Sequence, residues 1–414
     1  LRSRAGPMNA PKNSDFTMKR FILFAALLAG GFAASAQEAI WGGGEVVSPE
    51  ILPDNRVTIR VLAPEARKVE VTGDFLPAQR VETPFGQADA AGVAALVPVG
   101  NGLWKYTTPA PLAPELYSYT ILVDGFRTTD PSNVYAIRDV ASVSNVFLIE
   151  GGRADLYRVD DVPHGTVSHV WYPSSVLGED RRMTVYTPAG YENSGRKYPV
   201  LYLLHGMGGD EEAWVSLGRA AQILDNLIAA GEAVPMIVVM PNGNVARQAA
   251  PGASPLGLER PTPQLPHTMD GVMETHFPDV VKFVDTHYRT VRRKEARAIA
   301  GLSMGGFHAL HISKQYPDLF DYVGLFSAAV EPDASVSSPV YADSDGKLAL
   351  QFSKAPKLYW IGIGSEDFLY KANEEYRCKL DGMGYPYTYY ETGGGHTWRN
   401  WRIYLSEFVR LIFK

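Results

Sequence analysis

Between residues 46 and 150 the chain alternates apolar and polar positions. RVTIRVLAP, KVEVTGDF, LYSYTILVDG and SNVFLIE each turn every second side chain toward one face, the period of half-buried strands. Turn residues part these runs at intervals of roughly ten positions, which suits a small sandwich of antiparallel strands. A polar connector rich in Asp, Gly and Pro occupies 151–168, and after it the rhythm changes. Short apolar runs (YPVLYLLHG, AVPMIVVMPNG, ARAIAGLS, KLYWIGIG) now alternate with segments of helical period such as AAQILDNLIAA and DVVKFVDTHYR. Strands apolar on both sides and separated by helices imply a mostly parallel sheet with helices on both faces. The expected organisation is a leader over 1–36, an all-β immunoglobulin-like sandwich over 37–150, a linker over 151–168 and an α/β domain over 169–414. Residues 242–269, with many Pro and few apolar positions, read as an insertion. After a strand of an open α/β sheet it would lie near the carboxyl edge, where ligands bind; the alternative is a plain surface loop.

Composition narrows the field. A chain of 414 residues, 46% hydrophobic and 20% charged, can bury two cores. Its formal charge of -6 is mild, and no long Lys/Arg run is present to neutralise phosphates, so nucleic acid is not an expected partner. The single cysteine, Cys378, excludes an intrachain disulfide and reads as a buried or incidental thiol rather than a nucleophile. From Met18 the chain runs Lys19-Arg20, an apolar stretch, then Ala34-Ser35-Ala36, the pattern of a cleaved secretory signal with Gln37 as the first mature residue. The apolar stretch is short and broken by Gly30 and Gly31, unlike a membrane span, and no cysteine comes after LAGG to accept a lipid. Export to the periplasm or beyond is expected, with no membrane segment left after cleavage.

The chemistry centres on Gly301-Leu302-Ser303-Met304-Gly305, a Gly-x-Ser-x-Gly match that in a glycine-rich chain means little by itself. Its surroundings decide. A small apolar strand (Ala298 to Ala300) enters and a helical segment leaves, so the serine sits on a sharp strand-to-helix turn with its Oγ exposed. A serine hydroxyl needs a base within reach and an acid to orient that base. KLYWIGIGSEDF ends a strand beside Glu366 and Asp367, and YYETGGGHTWRNW places His396 in a glycine loop after the last strand pattern; the order serine, acid, histidine is the one such sheets use. Either carboxylate could orient His396; Asp367 is preferred for its place in the loop. His308 and His311, one helical turn apart, suit helix packing or surface better than a metal pair, since no third ligand accompanies them. The glycine-rich turn of YLLHGMGGDEEAW leaves backbone N–H groups to receive an oxyanion, with Met207 and Met304 as the expected pair. No Lys-Ser/Thr comes after that turn, so it is not a phosphate loop. Trp398 and Trp401 flank His396: Trp401 fits the buried stripe of the last helix, and Trp398 is a candidate for the substrate pocket.

Four blocks, LLHGMGGDEEAW, HFPDVVKFVDTHYR, IAGLSMGGFHAL and GGGHTWRNWRIYL, make residues 165–414 resemble the esterase D group of α/β-hydrolases. Within it they resemble the family-1 carbohydrate esterases that include bacterial feruloyl esterases. The resemblance implies Ser303 as nucleophile, His396 as base, Asp367 as acid, and no metal or organic cofactor. It also implies hydroxycinnamoyl esters of xylan or its oligosaccharides as substrate. Enterochelin-type esterase, acetyl-xylan esterase and acyltransferase are alternatives of the same fold, and a non-enzymatic carbohydrate-binding protein is an alternative of another class. Through GLWKYTTPAPLAPELYSY and VDGFRTTDPSN the sandwich resembles early-set or family-48 carbohydrate-binding domains, with Glu115 standing where that family often has Gly.

Overall fold

The computed structural model describes residues 46–83, 86–263 and 265–414; the expected leader at 1–36 lies outside the described residues. The first part of the chain is all strand: β1 (Glu50–Ile51), β2 (Val57–Leu62), β3 (Val69–Gly73), β4 (Gln79–Thr83), β5 (Gly86–Ala90), β6 (Gly92–Ala95), β7 (Val97–Gly100), β8 (Leu103–Thr107), β9 (Glu115–Val123), β10 (Phe126–Thr128), β11 (Ala136–Asp139) and β12 (Ser142–Ile149). Two antiparallel sheets, β1-β2-β8-β7 and β11-β12-β9-β3-β6 with β10 on β9, enclose a core of Val57, Ile59, Val71, Tyr117, Tyr119, Ile121 and Phe147 among others. β12 shows the mechanism plainly, because Asn145, Phe147 and Ile149 point inward while their neighbours do not. The DPSN stretch of the sequence is a buried polar knot. Asp130 accepts from Ser48 Oγ at 2.6 Å and Tyr119 OH at 2.9 Å, and Asn133 Nδ2 donates to Val146 O at 3.0 Å. Such a knot is stable only because each buried group is paired.

Residues 152–157 of the connector form a 310 turn held more firmly than its polar composition suggests. Ala154 and Tyr157 are buried in the core of the second part, and Asn226 donates to the carbonyls of Leu156 and Arg158. The sandwich, the connector and the α/β part belong to one compact unit, Ser48–Lys414.

The second part lays down β13 (Thr166–Ser174), β14 (Glu179–Thr187), β15 (Val200–Leu204), α1 (Ala213–Ser216), α2 (Ala220–Ala229), β16 (Ile237–Pro241), α3 (Val272–His287), β17 (Arg297–Leu302), α4 (Met304–Gln315), β18 (Tyr322–Phe326), α5 (Ser344–Ser353), β19 (Leu358–Gly364), α6 (Tyr370–Met383), β20 (Thr388–Thr392) and α7 (Trp398–Val409). The sheet order is β13-β14-β16-β15-β17-β18-β19-β20, antiparallel at β13 and β14 and parallel from β16 onward. This is the mostly parallel sheet expected from the pattern, in the α/β-hydrolase architecture that the resemblance implied. Alternate residues of each central strand feed different cores: Val200, Tyr202 and Leu204 pack with α3 to α6, while Leu201 and Leu203 pack with α2 and α7. Helices thus cover both faces, and β15 to β18 are buried throughout. Among the described residues no helix is long and apolar enough to cross a membrane.

Candidate active site

The carboxyl ends of β15, β16, β17, β19 and β20 converge on one edge. At the end of β17, Ser303 adopts φ 53° and ψ -116°, a conformation unfavourable for any residue with a Cβ. Its N–H donates to Phe326 O at 2.9 Å and its carbonyl accepts from Phe307 N–H at 3.0 Å, so the strand before it and the helix after it enforce the kink. Met304 is the first residue of α4, a position whose N–H has no acceptor within the helix itself.

The turn after β15 packs against this elbow almost backbone to backbone. A Cβ on Gly206 would lie 2.4 Å from Leu302 Cδ1 and 3.4 Å from Ser303 Cβ, and one on Gly305 only 2.4 Å from Leu204 O. The turn closes with Gly209 N–H on Gly206 O at 3.1 Å, which leaves Met207 N–H outside that bond. His205 ties it down from below, with Nδ1 donating to Gly206 O and Nε2 accepting from Gly243 N–H, both at 2.8 Å. Burial disfavours the charged imidazole and lowers its pKa, in keeping with a neutral ring that donates once and accepts once.

Asp367 and His396 meet on the adjoining loops. His396 Nδ1 lies 2.9 and 3.0 Å from the two carboxylate oxygens of Asp367, whose side chain is fully buried. Glu366, one residue earlier, is exposed to solvent. The loops are joined by Ser365 N–H on Thr392 O and Glu366 N–H on Gly394 O, and Asn400 Nδ2 braces the glycine loop through the carbonyls of Gly393 and Gly395. With Nδ1 engaged, Nε2 is the nitrogen left to accept a proton.

The aromatic neighbours of the base are Phe368, 4.5 Å from the His396 ring, and Trp401, edge-on at 4.9 Å. Trp398 packs instead between Trp214 and Trp401 at 5.3 and 5.2 Å. Phe368, half exposed, was missed in the sequence, where its only signal is adjacency to Asp367. His308 and His311 are buried rather than on the surface: His308 Nδ1 pairs with Glu274 at 2.9 Å, and burial pushes His311 down to about 2. Among the described residues no group of three or more metal-ligating side chains comes together. Cys378 is exposed on α6, outside these loops.

The segment after β16 is held against the same edge. The buried Arg181 guanidinium donates to the carbonyls of Asn242, Asn244 and Val245, Glu211 accepts from Ala250 N–H, and Asn244 Nδ2 donates to Gly209 O at 2.6 Å. A cleft opens between this segment and the glycine turn, lined by Gly208, Asp210, Asn244, Arg247, Leu256 and Arg260. It adjoins the turn rather than containing Ser303 or His396. The whole arrangement suits acyl transfer: a nucleophile on a strained elbow, a buried acid–base pair, and backbone donors at the elbow and the turn.

Residues 174–412, more than half of the chain, match the Esterase family, described as "Putative esterase". An endo-1,4-beta-xylanase/feruloyl esterase of Xylanibacter ruminicola is 27% identical over 88% of this chain, which spans about half (46%) of that curated relative's length. A CE1 ferulic acid esterase from Anaeromyces mucronatus, solved with ferulic acid, is 25% identical with a TM-score of 0.51, covering 62% of this chain and 93% of its own. The enterobactin esterase of Shigella flexneri has a TM-score of 0.57 at 16% identity and covers 86% of this chain and 92% of its own, a likeness of fold.

Proposed function

The chain belongs to the Esterase family, and from that premise we propose that it is a serine carboxylic-ester hydrolase acting on feruloyl or related hydroxycinnamoyl esters of xylan-derived sugars. The observation that carries the chemistry is the buried Asp367 carboxylate on His396 Nδ1, together with a serine held at positive φ at the end of β17. Asp367 orients the imidazole, His396 Nε2 takes the Ser303 proton, and Oγ attacks the ester carbonyl. The oxyanion is received by Met207 and Met304 N–H, and the alcohol leaves with the proton from His396. Water, deprotonated by His396, then cleaves the acyl-enzyme, releasing the acid and restoring Ser303. The substrate reading is supported by the feruloyl esterase names of two relatives and by the half-exposed Phe368 beside His396, a surface suited to an aromatic acyl group. The second reading is a siderophore esterase, favoured by a fold likeness that extends over 86% of the chain.

Ser303→Ala is expected to lower hydrolysis of an aryl ester by at least a thousandfold, on the order of triad deletions elsewhere; activity within tenfold of the parent would refute the nucleophile. Comparing kcat/KM for methyl ferulate, acetylated xylan and ferric enterobactin separates the substrates, and preference for the last would favour the siderophore reading. Export rests on the charged, apolar and small-residue pattern at 18–36. It predicts an exported product beginning at Gln37 by N-terminal sequencing.

A further inference from the structure

One element of the sandwich reaches the catalytic edge. The tip of the β11–β12 hairpin carries Val140 at φ 49°, a left-handed conformation that a β-branched residue adopts only under constraint. The constraint is visible. A Cβ on Gly208 would lie 2.9 Å from Val140 Cγ2 and 3.2 Å from Pro263 Cα, so the glycine turn is clasped between the hairpin and the segment after β16. Gly208 itself is at φ 76° and has room for no side chain. Two residues before the tip, Arg138 forms an ion pair with Asp210 at 2.6 Å and also donates to Val140 O at 3.2 Å. The Asp210 side chain is only 5% exposed, and its other oxygen receives Glu212 N–H, capping the same turn. One guanidinium therefore holds both the hairpin tip and the end of the turn that presents Met207 N–H. A half-buried pair of this kind, with a second hydrogen bond to the same cation, holds geometry better than an exposed pair does.

We propose that Arg138 is a positioning residue for the oxyanion turn, so that the sandwich forms part of the active site through its hairpin tip. The inference rests on the esterase reading, because that reading supplies the oxyanion. A donor displaced from its turn loses transition-state stabilisation while ground-state ester binding, made elsewhere, changes little.

The test is Arg138→Met, which keeps the aliphatic stem, with Arg138→Lys as the conservative variant and Val140→Gly as an independent lesion. For an aryl ester the Met variant is expected to lose about tenfold in kcat, with KM within about twofold. Affinity for an aryl boronic acid, whose tetrahedral adduct occupies the oxyanion site, should fall in parallel, and Arg138→Lys should recover most of both. Amide hydrogen exchange at Met207 to Gly209 should quicken in Arg138→Met and in Val140→Gly. That readout needs no turnover, so it stands even if Ser303→Ala were to refute the esterase reading. Unchanged exchange at 207–209, a kcat within twofold of the parent, or a Lys variant no better than Met would overturn the proposal.

Discussion

In the sandwich, strands bury alternate residues: along β12, Asn145, Phe147 and Ile149 are buried while Val146 and Leu148 stay partly exposed between them, Leu148 packing against the core of the α/β part. In the α/β sheet, β15 and β16 bury every residue. The difference decides where chemistry can live. A strand dry on both sides has its backbone satisfied along its length and runs out of partners only at its end, where the chain must turn sharply among glycines. Those ends carry Ser303, Asp367 and the Met207 turn. The sandwich offers no such edge, and its buried polar groups, Asp130 and Asn133, pair with one another's neighbours. Its route to the site is a hairpin tip. Farther along it is tied by Leu116 and Leu148, which pack against the α/β core, and by Glu115, paired with the buried Arg402 of α7 at 3.0 Å, six residues beyond His396. Glu115 is therefore a joint between the two parts.

If the division of labour holds, lesions in the two parts should separate chemistry from stability. The largest effect is expected for Asp367→Asn, which keeps the shape but loses the orienting charge: kcat should fall on the order of a thousand- to ten-thousandfold, about 4 to 5.5 kcal/mol of barrier, with the melting temperature nearly unchanged. An equal loss of melting temperature would make Asp367 a structural residue. Phe147→Ala should do the reverse. It empties the aromatic cluster of Phe75, Tyr117 and Tyr119, costing about 3 to 5 kcal/mol in urea unfolding, while the kcat of the surviving folded protein stays within a few-fold. A proportional fall in kcat would mean that the sandwich core, not only its tip, tunes the site.

Acid should act on the α/β part. His276, buried between Tyr172 OH and Ser174 Oγ, is pushed down to about 4 by burial, and His311 to about 2 for the same reason. Below the ordinary value near 6.5 the unfolded chain binds protons that the folded chain refuses. This stability is complete above about pH 6.5 and is lost as pH falls toward the native values, about 2 kcal/mol per histidine between pH 7 and 5. Urea midpoints at the two pH values measure it, and His276→Gln should remove about half of the slope; a flat profile would place both rings in contact with water. The smallest effect is expected at Phe368→Ala: a rise of about threefold to tenfold in KM for methyl ferulate, the worth of one aromatic contact, and no change for an acetyl ester.

What the sequence by itself determined is what short windows of chain control. Period-two and continuous apolar runs specify the two kinds of sheet, and small residues around Ser303 permit a turn that other residues would clash with, so the elbow that carries Ser303 was readable from local sterics. The order of serine, acid and histidine along the chain was readable for the same reason, because each comes after a recognisable strand end. The sequence preferred Asp367 over Glu366, and tertiary structure supplied the physical distinction between them, since their loop buries Asp367 against His396 and leaves Glu366 in solvent. Tertiary structure set the half-exposed Phe368 against His396 and packed Trp398 between Trp214 and Trp401, and it pinned the 242–269 segment through Arg181, a buried cation supplied by a different strand. It also brought Arg138 to Asp210, 72 positions apart. Contacts of that range depend on how two independently patterned sheets dock, and no periodicity within either one encodes the docking.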